Sequence, residues 1–166
     1  MRYRDLCRGI GYLALSCAVL VGGIHALAIR DAAPSAGMSV VLWTLPVLIP
    51  TAFAYILAAR QAPADITPPR WAVILWTIAI MYAGVNFSLE RRATAGGTVE
   101  ITDRGPVLMV HGRAVRFLTP PEVRDIEAWK VRGLSGHLLP FFILPGVGLL
   151  VLTKKAKRRG FEPHAA

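Results

Sequence analysis

The sequence predicts an all-α membrane fold of four transmembrane helices, with a small β-hairpin and a short amphipathic helix inserted between the third and fourth. Four runs free of Asp, Glu, Lys and Arg point to it: Ile10–Ile29, Ala32–Ala59, Trp71–Leu89 and Gly133–Thr153. Each reaches or approaches the ~20 residues a helix needs to cross ~30 Å of hydrocarbon. A soluble domain of 166 residues would not bury four such runs. Basic residues cluster where the runs end, and between Glu90 and Arg132 the pattern turns polar.

The first span, 10–29, follows Arg2, Arg4 and Arg8. Its apolar run exceeds the 7–15 residues typical of a signal-peptide core, so the expectation is a retained anchor. Ala14, Ala18, Gly22 and Ala26 recur every fourth residue and form a stripe that allows close backbone approach. The stripe suits a homo-oligomer face or a second span of the same chain. The second span, 39–59, contains Pro46 and Pro50, each of which removes a backbone donor and favours a kink. The third, 71–89, opens on Trp71, an interfacial anchor after Arg70.

Residues 90–133 form the predicted insert. Thr98–Ile101 alternates like a strand, and Thr102-Asp-Arg-Gly105 supplies turn residues. Two β-rich runs flank His111-Gly112, a hairpin turn. Thr119-Pro-Pro-Glu122 fits a capping box: the threonine oxygen accepts from the Glu122 amide, and the carboxylate reaches back to the Thr119 amide. Val123, Ile126 and Trp129 line one face of the helix that follows. This helix is expected to stop near Arg132-Gly133, because glycine accepts the left-handed conformation that ends many helices. A fourth span, 134–153, then crosses despite Pro140 and Pro145, ahead of a basic tail, 154–166. About forty residues cannot bury an independent core, so sheet and helix must lean on each other and on the membrane surface.

The net charge of +9 suggests nucleic acid at first sight. Its placement at span ends points instead to the lipid bilayer and anionic headgroups. No aromatic-basic platform for stacking bases is present. Cys7 and Cys17 both lie in or beside the first span and make no disulfide framework or zinc pattern. No HExxH, CxxC, GxSxG or P-loop occurs, and no catalytic, cofactor-binding or metal residues are assigned. No Asp, Glu, Lys or Arg lies inside a span, which argues against a self-contained ion-coupled carrier. His25 and Asn86 are the polar exceptions, read as interfacial hydrogen-bonding groups.

Orientation follows from the short flanks. One side carries the N-terminal arginines, Arg60, Arg70 and the tail; the other carries Arg30 and the basic residues of the insert. Short flanks outweigh longer segments, which puts both termini in the cytoplasm and the insert outside. Arg91 and Arg92 pull the other way.

The string from His111 to Leu139 is similar to one in an uncharacterised family of small multi-pass bacterial inner-membrane proteins. That family has a His-Gly turn, Thr or Ser with Glu three residues on, and Arg-x-x-Ser-Gly-His before the last span. The matching residues are His111, Gly112, Thr119, Glu122, Arg132, Ser135, Gly136 and His137, within a string that covers about a sixth of the chain. Val123 and Leu138 depart from its aromatic positions. The resemblance implies the bacterial inner membrane and carries no activity. The function expected is that of a membrane-anchored binding, assembly or accessory protein whose periplasmic insert contacts another membrane or periplasmic protein. A transporter or channel subunit is the alternative, and a membrane enzyme ranks below both. The candidate contact and junction residues are the eight matching positions together with Trp129.

Overall fold

The computed structural model describes residues 3–30, 36–62 and 68–158. Arg2, the links at 31–35 and 63–67, and the tail from Arg159 lie outside the described residues. The chain is mostly helical: α1 (Tyr3–Ile29), α2 (Gly37–Gln61), α3 (Arg70–Ala93) and α4 (Pro120–Arg158), with β1 (Thr98–Thr102), β2 (Gly105–Val110) and β3 (Arg113–Phe117) between α3 and α4. All four helices are long and apolar enough to cross a membrane, as expected of a multi-pass membrane protein.

The central element is α4, which packs against each of the other three helices. On α1 the buried positions Cys7, Gly11, Ala14, Ala18, Val21, His25 and Ala28 alternate four and three residues apart. This is the spacing of a seam that stays in contact with a neighbouring helix over many turns. Small residues bring the backbones together: a Cβ on Gly11 would lie 3.2 Å from the Gly146 carbonyl oxygen. Gly22 faces Leu139 of α4, and Ala14 and Ala18 are buried. Of the small-residue stripe, Ala26 alone is exposed. The bundle core is completed by Val21, Ile24, Val41, Val131, Leu138 and Phe142.

The insert differs from its prediction in two ways. Its sheet has three antiparallel strands in the order β1-β2-β3, because Thr98–Thr102 pairs with β2 as a full strand. His111 and Gly112 make the β2–β3 turn with φ of 51° and 75°, the doubly left-handed backbone that closes a two-residue hairpin. The register shifts between Leu108 and Met109, which marks a bulge in this edge pairing. Leu108, Leu118 and Ile126 form a small core with Val99, Val110 and Val123, joining the sheet to the first turns of α4.

The second difference is larger. No separate short helix exists: the capped helix and the fourth span are one helix of 39 residues, and it does not stop at Arg132-Gly133. Gly133, expected to end it, and Gly136 serve close packing instead. A Cβ on Gly133 would lie 2.5 Å from Glu90 Cγ, and one on Gly136 would overlap Asn86 Nδ2. Neither glycine is among the residues of positive φ. Pro140 and Pro145 lie inside the helix without ending it. At 1.5 Å per residue α4 is about 58 Å long, against ~30 Å for the hydrocarbon core. Its first 14 residues or so therefore carry the sheet clear of the apolar span, as a small head on a continuous stem.

Candidate functional site: a polar knot at the base of the head

Three helices contribute polar side chains to one buried cluster at the foot of the head. Each is placed by helical spacing. Tyr82 and Asn86 lie four apart on α3, and Arg132 and Ser135 lie three apart on α4. His25 lies at the end of the α1 seam and is 5% exposed. Its Nδ1 is 2.9 Å from Ser135 Oγ and 3.1 Å from the Arg132 carbonyl oxygen. Its Nε2 is hydrogen-bonded to the Tyr82 hydroxyl. Asn86, 2% exposed, donates through Nδ2 to the carbonyls of Arg132 at 2.9 Å and Gly133 at 3.3 Å. The cluster ties α1, α3 and α4 together where the head begins.

A carbonyl oxygen only accepts, so Nδ1 of His25 carries the proton shared between Arg132 O and Ser135 Oγ. Nε2 is paired with the Tyr82 hydroxyl, so both ring nitrogens have partners. The Ser135 hydroxyl donates to the Val131 carbonyl at 2.6 Å.

A serine beside a histidine whose far nitrogen is held by a third group is the usual outline of an activated nucleophile. Here the chemistry runs the wrong way. A base must accept the serine proton, whereas Nδ1 donates and the serine proton is committed to Val131. Ser135 is also fully buried, at 0% exposure, in the middle of a helix whose amides serve the helix itself. The arrangement is that of a structural lock.

Around the lock, α4 turns its neighbours to use. The Arg132 guanidinium lies over the Trp129 ring, 4.4 Å from its centroid. His137 Nδ1 donates to the Gly133 carbonyl at 3.0 Å, and its ring meets Phe87 edge-on at 5.0 Å. Arg91 lies 5.7 Å from the centroid of that same Phe87 ring.

Of the residues singled out from sequence, Arg132, Ser135 and Gly136 meet in the knot and Trp129 and His137 border it. Thr119 and Glu122 sit about ten or more residues away at the top of α4. There the predicted cap is half made. Glu122 Oε2 accepts from the Thr119 amide at 2.8 Å, as a capping box requires. The Thr119 hydroxyl, however, donates to the same carboxylate at 2.8 Å instead of accepting from the Glu122 amide. Arg116 explains the preference: it bonds Glu122 Oε1 at 2.6 Å and holds the carboxylate over the helix start. These three donors, the Thr119 amide first, keep the Glu122 carboxyl down at about 2. His111 and Gly112 remain exposed in their turn.

Tyr82 carries no site signal in the sequence, since an aromatic in a span reads as packing. His25 and Asn86 stand out as polar residues expected at the interface; both are buried against α4. The usable signal was depth: His25, Tyr82–Asn86 and Ser135 all lie near the same end of their spans. Among the described residues, no group of His, Cys, Asp and Glu is placed to hold a metal ion. The chain matches no family model, no curated protein and no solved structure, so its functional reading rests on this geometry.

Proposed function

We propose that this chain is a membrane-anchored contact protein, an assembly or accessory factor whose head meets another membrane or extracytoplasmic protein. One observation carries the reading: a single helix runs from the membrane bundle into a head whose outer strand is open. All five residues of β3 are exposed, and Val115 and Phe117 are each 59% exposed despite being apolar. An edge strand with accessible apolar side chains is a surface that proteins use for pairing. The buried lock below it holds the head at a fixed angle to the bundle, which favours recognition over catalysis.

The location proposed is the bacterial inner membrane with both termini in the cytoplasm and the head outside, as the short basic flanks favour. Kinship with the family of small bacterial inner-membrane proteins belongs to the same proposal. Self-association through α1 would have to use Ala26 and the exposed side chains beside it.

Photo-crosslinkers placed at Val115 and at Phe117, in intact membranes, test the contact reading. A discrete, saturable adduct from both sites, absent from a crosslinker at exposed Trp43 within α2, is expected. Solute or ion movement by the purified chain alone in liposomes, with no adduct, would favour transport. Cysteines at Asp103 and Lys154, in a cysteine-free background, test the threading. Labelling of Lys154→Cys but not Asp103→Cys by an impermeant reagent from outside would reverse it.

A further inference from the structure

We propose that the level at which α3 and α4 leave their apolar spans is a docking site for the phosphate groups of anionic phospholipids, with Arg91 and Arg132 as its preset anchors. The proposal is independent of what the head contacts.

Position comes first. Arg91 lies two residues beyond Leu89, where the apolar run of α3 ends, and Arg132 two residues before Leu134, where that of α4 begins. The knot locks these ends at one height. Asn86 holds the carbonyls of Arg132 and Gly133, and Glu90 packs against Gly133. Arg91 and Arg132 therefore both lie where their helices leave the apolar spans, at the depth of lipid headgroups.

Preparation comes second. A free arginine on a membrane protein surface must give up rotamer freedom to hold an anion. Both of these are already held on aromatic rings, Arg132 on Trp129 and Arg91 on Phe87. Gly96 leaves room beside the Arg91 guanidinium, where a Cβ would stand 3.5 Å from a terminal nitrogen. The N–H groups of a guanidinium form a planar fork that matches phosphate oxygens.

Charge comes third. Among the described residues the one ion pair is Arg116–Glu122, at the far end of the head. Among the described residues no carboxylate is ion-paired with Arg132 or Arg91, although Glu90 lies one residue from Arg91 and packs on Gly133. Arg132 Nε is buried and has no hydrogen-bond partner among the described residues. Arg92, exposed on the next position of α3, adds a further positive charge. Trp129 beside Arg132 is the residue type that settles at headgroup depth. A lipid phosphate, tethered at this depth by its acyl chains, fits better than phosphate free in water.

The test uses the purified, delipidated full chain in dodecyl maltoside. Dioleoylphosphatidylglycerol, dioleoylphosphatidylcholine and inorganic phosphate are titrated separately, and binding is read by thermal unfolding and by lipid retention in native mass spectrometry. Phosphatidylglycerol should bind and raise the unfolding temperature, while phosphatidylcholine and inorganic phosphate at equal concentration should not. Arg91→Gln and Arg132→Gln should each weaken phosphatidylglycerol binding by about 5-fold, the size expected for one basic group at a charged membrane surface. Arg91→Gln leaves the knot untouched and keeps the test decisive if Arg132→Gln folds poorly. Arg104→Gln, which removes the same charge from the distal β1–β2 turn, should change nothing. The proposal is overturned by equal binding of phosphatidylcholine, by an equal effect of inorganic phosphate, or by an Arg104→Gln loss matching that of Arg91→Gln.

Discussion

Replacing Gly136 with alanine puts a methyl group into space already held by the knot. Its Cβ would lie 2.9 Å from both Asn86 Cγ and His25 Cε1 and would overlap Asn86 Nδ2. Neither neighbour is a free side-chain end: Asn86 is bonded to two carbonyls and His25 to both α3 and α4. Overpacking of this kind costs about 1–3 kcal/mol. Displacing Asn86 forfeits hydrogen bonds worth ~0.6 kcal/mol each between helices in a membrane. Alanine returns about 1 kcal/mol through its better helix propensity. Combining these figures, the expected net destabilisation is about 1–3 kcal/mol. Reversible unfolding of the purified chain in mixed dodecyl sulfate micelles would measure it. A double-mutant cycle sharpens the test, because Asn86→Ala empties most of the space the methyl needs. In that background Gly136→Ala should cost markedly less, with His25 supplying what remains. If Gly136→Ala stabilises the wild-type chain, or if Asn86→Ala gives no relief, the glycine is there to bend α4 and the close-approach argument fails.

Gly133→Ala should cost less than Gly136→Ala in the same unfolding assay, because Glu90 can turn away whereas Asn86 and His25 cannot. Tyr82→Phe removes the hydroxyl paired with His25 Nε2 and should destabilise the bundle by about 0.6 kcal/mol, the average for an interhelical hydrogen bond in a membrane; no loss at all in micelle unfolding would show the bond is not made. Thr119→Ala should speed amide exchange across the first turn of α4, with a cost toward the lower end of the ~0.5–2 kcal/mol seen for lost caps, since its hydroxyl meets a carboxylate and not the backbone. Glu122 sets a pH dependence at the same place. Its carboxyl is depressed from 4.5 to about 2, so its contribution is present above 4.5 and is lost as the pH falls toward 2. Amide exchange in the first turn of α4, corrected for intrinsic rate, should therefore rise between pH 4.5 and 2 in wild type. The Glu122→Gln chain should show no such rise.

Much of this protein is written locally. Uncharged runs of membrane length name four helices, since no water is available in hydrocarbon to satisfy any other open backbone. His111-Gly112 specifies its hairpin because two successive left-handed residues admit few alternatives. Glu122 reaches back to the Thr119 amide because the two are three residues apart at a helix start. The tertiary structure decided where local rules left a choice. Gly133 was compatible with ending a helix or with letting another helix approach, and the Glu90 side chain packed against it selects the second. Ser135 could restart a helix or sit inside one. It is inside one, because α1 and α3 close over it and the helix keeps its amides satisfied. His25, Tyr82 and Asn86 are separated from Ser135 by dozens of residues, and no spacing rule links them. Only the packing of α1 and α3 on α4 makes them one cluster, because burying a polar group in a membrane bundle is tolerable only beside a partner, and those partners come from other helices.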